Sequence, residues 1–223
     1  MAIRLNISIH ADLQWLLDSL GLQLRNEHFT PHYNVRPLSA VWGVTRSNQG
    51  AQLSPMQWGF IPPWAKDGQF RRPLTIARAE TVYEKPSFRS LITRYRGFLP
   101  INGFYEWRRG NAGRTAHYIK GPDRAMALAT LFQMHGDGYQ QCCVISTRSQ
   151  SAMRAIHERQ PVVIPQDRLQ DWLFDDRPAA VRELLHGQTS LELQALENYV
   201  DDPKNDGPEC LTALQQADNP HSS

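Results

Sequence analysis

Only three cysteines occur in the 223-residue chain, and two of them, Cys142 and Cys143, are adjacent. Neighbouring residues of a strand point to opposite faces, and there is no CxxC or paired Cys/His spacing. A disulfide framework and a structural zinc are therefore both disfavoured, and the thiols are expected to be free and buried or half-buried. No apolar run approaches the roughly 20 residues that cross a bilayer. The opening MAIRLNISIHADLQ also lacks the charged-then-apolar layout of a secretory signal. The expectation is a cytoplasmic monomer with no membrane partner. Internal repeats and low-complexity linkers are missing, so residues 1–213 are expected to form a single domain, with 214–223 a frayed polar tail. No two histidines or carboxylates fall at ligand spacing on one expected element, so no metal and no cofactor is implied.

What is present is ordinary in bulk, with 41% hydrophobic and 21% charged residues, enough for one sizeable core. Net charge is only +2, but it is unevenly spread. Residues 1–120 hold 16 Lys/Arg against 7 Asp/Glu, and residues 121–223 hold 8 against 15. An arginine-rich, aromatic-containing first half suits a nucleic-acid backbone, because cations displace condensed counterions and aromatic faces stack on bases.

Leu13, Leu16, Leu17 and Leu20 recur at helical spacing and stop at Gly21, the pattern of an amphipathic helix with a glycine at its end. Leu38 to Arg46 and a second run ending at Trp58 flank Ser-Asn-Gln-Gly, as in two strands joined by a turn. Four further runs, near 97–108, 114–120, 125–133 and 139–147, are separated by GNAG, GPDR and HGDG, and predict a meander. Helices are expected to begin near Ser149, at Pro165-Gln166-Asp167 and near Pro178. The proportions imply an α+β fold, a mostly antiparallel, β-barrel-like sheet with peripheral helices.

Five clusters exceed what packing requires. They are His32-Tyr33-Asn34-Val35-Arg36-Pro37, Trp58-Gly59-Phe60-Ile61-Pro62-Pro63-Trp64-Ala65, Ala77-Arg78-Ala79-Glu80-Thr81, Asn102-Gly103-Phe104-Tyr105-Glu106-Trp107 and Ile156-His157-Glu158-Arg159-Gln160-Pro161. Glu106 lies between aromatic residues in a strand. Burial would be costly without a partner or a task, which makes it the best candidate for a proton-transfer group, although an outward strand position is equally open. An imidazole at His157, where a short helix should give way to a strand, suits proton shuttling near neutral pH. A capping or core role is its plain alternative. Pro62-Pro63-Trp64 suits a rigid stacking platform or a lid on the core.

In this order, together with Arg4-Leu5-Asn6-Ile7-Ser8 and Asn205-Asp206-Gly207-Pro208-Glu209, the clusters resemble the SOS-response-associated peptidase family over about 200 residues. The resemblance implies an α+β, barrel-like fold with a positively charged channel for single-stranded DNA. It also implies an N-terminal cysteine that captures the aldehyde of an abasic site. Its amine forms an imine, its thiolate closes a thiazolidine, and an Asn, a Glu and a His position the amine and move protons. The same cysteine explains self-cleavage of an N-terminal extension. Carried over by position, Glu106 and His157 match the family's Glu and His. Arg4, Arg78 and Arg159 match phosphate-gripping positions, Asn34 falls in the YNV cluster, and Trp64 matches an aromatic at the DNA. Thr147 is expected to add a hydroxyl contact.

The chemical centre departs from the pattern. The family start Met-Cys-Gly-Arg is here Met1-Ala2-Ile3-Arg4, and Asn-Ala-Arg is Ile76-Ala77-Arg78. Ring closure needs amine and thiol on one residue, so the expected product cannot form at Ala2. The leading expectation is a binder of single-stranded or abasic DNA that makes no durable crosslink. The alternatives are an abasic-site lyase using the Ala2 α-amine with Glu106 and His157, and a scaffold for a protein partner.

Overall fold

The computed structural model describes residues 3–62, 65, 72–111, 113–134 and 139–214. Ala2, Trp64 and the tail from 215 lie outside them. The chain opens with β1 (Arg4–Ile7) and α1 (His10–Asp18), whose Leu13, Leu16 and Leu17 are buried. Gly21 follows with φ +66°, a conformation only glycine adopts without strain. After β2 (His32–Val35) come β3 (Ala40–Ser47) and β4 (Gly50–Trp58), an antiparallel hairpin in register from Ala40 opposite Gln57 to Ser47 opposite Gly50. Then follow β5 (Ile76–Arg78), α2 (Leu91–Arg94), β6 (Arg96–Ile101), β7 (Gly103–Gly110), β8 (Gly113–Lys120), β9 (Met126–Met134) and β10 (Gln140–Arg148). The remainder is shorter: β11 (Arg159–Pro161), β12 (Val163–Ile164), α3 (Leu169–Phe174), α4 (Pro178–His186) and β13 (Glu192–Ala195).

Two sheets result. One has the order β13-β8-β7-β1-β2, with antiparallel pairing throughout. The other runs β11-β10-β4-β3-β6-β9-β12, with β5 on β10, and β9 also pairs with β10, so the sheet curls back on itself. The fold is α+β and mostly antiparallel. No described helix is long and apolar enough to cross a membrane.

The apolar run 97–108 is two strands in two different sheets, where a single meander strand was expected. Asn102 makes the switch. Its Oδ1 accepts from Ser8 N (2.8 Å) and Ile9 N (3.0 Å), while its own N–H donates to Asn6 O (2.9 Å). These bonds tie the β6–β7 junction to the end of β1, and a buried amide does what a turn sequence would otherwise advertise.

Side-chain alternation sets the layers. Cys142 packs in an apolar cluster with Phe104 and Ile119 between the sheets, and Cys143 in another with Leu13, Trp172 and Leu184 beneath the helices. Both thiols are buried, so the large sheet is covered on both faces. A third cluster, Tyr105, Trp107, Leu196, Val200 and Cys210, lies under the C-terminal segment 198–211. Arg96, also buried, donates to the carbonyls of Ile92, Thr93, Trp172 and Asp175 and to Asp176 Oδ1, which pins α2 and α3 to the sheet.

Candidate functional site

Strand register brings the amino terminus of the described chain to Glu106. Arg4 pairs with Tyr105, Leu5 with Phe104 and Asn6 with Gly103, so Ile3 falls level with Glu106. On β7 the aromatic neighbours Tyr105 and Trp107 pack beneath the C-terminal segment. Alternation sends Glu106 to the other face, where it is 2% exposed. Burial of that carboxylate is the costly state that the sequence pattern left open.

His157 is carried on the loop between β10 and β11. Ser149 N–H donates to Glu158 O (2.9 Å) and Gln150 N–H to Gln160 Oε1 (2.9 Å), which closes the loop. Arg159 N–H donates to His157 Nδ1 at 3.0 Å. Arg159 O lies 3.2 Å from the same nitrogen, so the Arg159 backbone holds the ring in place through both its N–H and its carbonyl. Nε2 lies 4.0 Å from Glu106 Oε1. An imidazole and a buried carboxylate thus face each other across the mouth of an open cleft of about 740 Å³, lined also by Ile3, Arg4, Trp107 and Arg114.

Arg4 and Asn34 turn inward, toward the protein's own C-terminal segment. Arg4 donates to Asn34 Oδ1 (3.2 Å), Val200 O (2.6 Å) and Asp201 O (3.2 Å). Burial, and then Arg114 nearby, lower its pKa. Asn34 is buried, and its amide donates to the carbonyls of Val200, Asp202 and Asn205. Arg4 still borders the cleft, with its guanidinium 4.8 Å from the Trp107 ring centre. Trp107 Nε1–H in turn donates to Asp201 Oδ1.

Arg78 and Arg159 meet elsewhere, in an adjoining hollow of about 580 Å³ with Arg148, Arg154 and Ser149. Glu158 borders both hollows. Arg159 donates to Ser146 O (2.7 Å) and Glu80 Oε2 (2.9 Å). Burial pushes the Glu80 carboxyl up, but the hydrogen bonds and charge of Arg159 together with backbone N–H groups outweigh it and hold the group below its ordinary range. Arg78 remains exposed, and the described residues offer it no ion pair. Thr147 is buried on β10 opposite Gln160. Ile76 is half-buried on β5 beside Val144 and packs on the apolar cluster that contains Ile3 and Met153.

Sequence reasoning missed three groups. His117, on β8, stands directly opposite Glu106, and burial lowers its pKa. Counting back from Gly110 opposite Gly113 in the GNAG turn would have found it. Arg148 and Arg154 gave no signal, because their arrival beside Arg78 depends on parallel pairing of β5 with β10. Among the described residues, no group of three or more His, Cys, Asp or Glu is placed to hold a metal ion.

Comparison with known proteins fits this frame. The family model described as SOS response associated peptidase (SRAP) matches residues 4–203. The abasic site processing protein YoaM of Bacillus subtilis (strain 168) is 32% identical over 195 residues, covering 83% of this chain and 86% of that protein. The abasic site processing protein HMCES of Xenopus tropicalis is 26% identical over 227 residues, covering 85% and 68%. A crystal structure of a protein from Bacteroides thetaiotaomicron superposes with a TM-score of 0.78 at 22% identity, covering 94% of this chain and all of that one, which shows a shared fold. A family match across nearly the whole length identifies the chain as a member of the SOS response associated peptidase (SRAP) family.

Proposed function

We propose that this protein binds single-stranded DNA at abasic sites, with the sugar at the Glu106–His157 cleft and the phosphates on Arg78 and Arg159. The observation that carries this reading is the junction of the two hollows at Glu158, which joins a proton-transfer pair to a group of four arginines. Arginine matches phosphate geometry and stays charged at any working pH. The relatives named as abasic site processing proteins supply the substrate class.

The bound strand forms no durable crosslink. Residue 2 is alanine, and all three cysteines are buried with their thiol pKa values raised by that burial. A thiol held protonated is a poor nucleophile. With Met1 removed, the Ala2 α-amine, of ordinary pKa about 8, condenses with the sugar aldehyde, losing water to leave an imine. Glu106 and His157 then serve as acceptor and donor for the protons that move between nitrogen and the departing hydroxyl. Hydrolysis of the imine restores amine and aldehyde. β-Elimination from it breaks the DNA strand, and retention of the Glu106–His157 pair favours that lyase outcome as a second reading.

The test compares single-stranded oligonucleotides with and without one abasic site, in the presence and absence of borohydride. Preferential binding, with an adduct that appears only after borohydride reduction, is the expected result. Equal or absent binding to both oligonucleotides would overturn the reading.

A further inference from the structure

At the tip of the β7–β8 hairpin, like charges face each other. Arg109 pairs directly with Arg114 across the strands, Arg108 adjoins them, and Arg36 reaches the same cleft from the end of β2. Like charges directly opposite on a sheet destabilise it. Among the described residues, Arg114 meets Asp201 at 3.3 Å, and no ion pair reaches Arg36, Arg108 or Arg109. All four side chains belong to exposed residues. Asp201 and the Trp107 ring, 5.6 Å from its guanidinium, hold Arg114 in place, whereas an anion bound between the side chains would account for Arg36, Arg108 and Arg109 beside it.

The chain itself orders the surface. β7 runs inward from Arg109 to Glu106, Glu106 faces His157, and the backbone continues through Glu158 to Arg159 in the second hollow. Arginines therefore stand on both sides of the proton-transfer pair. We infer that Arg36, Arg108, Arg109 and Arg114 form a second phosphodiester grip, which holds the DNA strand on the side of the abasic position away from Arg78 and Arg159. The inference rests on the proposed abasic-DNA reading and extends it, because a strand gripped on both sides cannot slide while its sugar sits at Glu106. Asp201, on the C-terminal segment, offsets part of the charge of Arg114 and leaves the other three guanidiniums for phosphate.

The experiment measures affinity for oligothymidylates carrying one unreactive tetrahydrofuran abasic analogue. A short core is compared with oligonucleotides extended only 5′ or only 3′ of the analogue. Wild type should gain affinity from both extensions. The R108T/R109T variant should lose the gain from one extension and keep the other, with the magnitude of its log K against log salt slope reduced by about 0.7 for each phosphate no longer gripped. Its melting temperature without DNA should match or exceed that of wild type, since threonine suits a strand and removes the repulsion. R108K/R109K should keep both gains. Loss on neither extension, equal loss on both, or loss already present on the short core would overturn the inference. Failure of wild type to bind the short core at all would overturn the underlying reading, and this inference with it.

Discussion

His157 Nε2 lies 4.0 Å from Glu106 Oε1, and the Arg159 backbone, in contact with Nδ1 through both its N–H and its carbonyl, holds the ring toward that carboxylate. The separation is longer than a hydrogen bond, which suits a pair that tightens only when a reacting group enters between the side chains. Glu106→Gln keeps the shape and removes the proton acceptor. The rate of borohydride-trapped adduct formation should fall by about 10²- to 10⁴-fold, while equilibrium affinity for an unreactive abasic analogue stays within about twofold of wild type. A fall in affinity as large as the fall in rate would mean that Glu106 shapes the cleft and moves no proton.

Arg78 is exposed among Arg148, Arg154 and Arg159. Arg78→Ala should weaken single-stranded DNA binding and flatten the log K against log salt dependence by about 0.7, measured by anisotropy titrations at several salt concentrations. An unchanged slope would mean that Arg78 holds no phosphate.

Asp201 accepts from Trp107 Nε1, sits 3.3 Å from Arg114 Nε, and its carbonyl accepts from Arg4. Charge alone predicts that losing this carboxylate strengthens DNA binding. Loss of the indole's acceptor predicts the opposite, because the cleft wall then loosens. Asp201→Ala should weaken binding and shift Trp107 emission to the red, whereas Asp201→Asn, which keeps an acceptor oxygen, should bind at least as well as wild type.

Asp206 holds the C-terminal segment to β2 through His32 Nδ1 (2.7 Å) and the N–H groups of Tyr33 and Asn34. Burial pushes its pKa up, but the bonds from His32 and the backbone outweigh that and leave it below the ordinary 3.8. A depressed folded-state pKa contributes stability above the unfolded value, lost as pH falls through the folded one. Tryptophan emission should therefore report loosening of the segment below about pH 3.8. Asp206→Asn should loosen it already at neutral pH and flatten the acid transition.

Ile76 packs on the apolar cluster that holds the buried Ile3. Ala2→Cys alone should give little heat-stable crosslink to an abasic oligonucleotide, since the amine lacks an amide to orient it and small misplacements cost about a hundredfold in rate. Ala2→Cys with Ile76→Asn should give substantially more, read as a time course on denaturing gels. Equal rates would mean that residue 76 does not shape the site. Ile3 should not be altered in the same experiment. Its side chain is core, and truncating a buried Ile costs about 2–5 kcal/mol, measurable by urea denaturation.

Periodicity and turn residues made the elements legible. Helix α1, the β3–β4 hairpin and strands β8 to β10 follow directly from leucine spacing and from Ser-Asn-Gln-Gly, GNAG, GPDR and HGDG. Hydrophobic period and turn chemistry act within a few residues, so they are written locally. The opposite faces of Cys142 and Cys143 follow from strand geometry alone. The ordered clusters were equally visible, and with them the family.

Long-range pairing had no local signature. That Asn102 ends one sheet and begins another, that Asn34 and Arg4 bind the segment 198–206, and that Glu106 is buried rather than outward depend on partners tens to nearly two hundred positions away. The same holds for the arginines, since composition announced an excess of positive charge and could not say where it would gather. Residue spacing tells which side chains share a face. Only the docking of one sheet against the other tells which face is covered, and so which carboxylate must find a partner and which guanidinium is left to solvent or to a ligand.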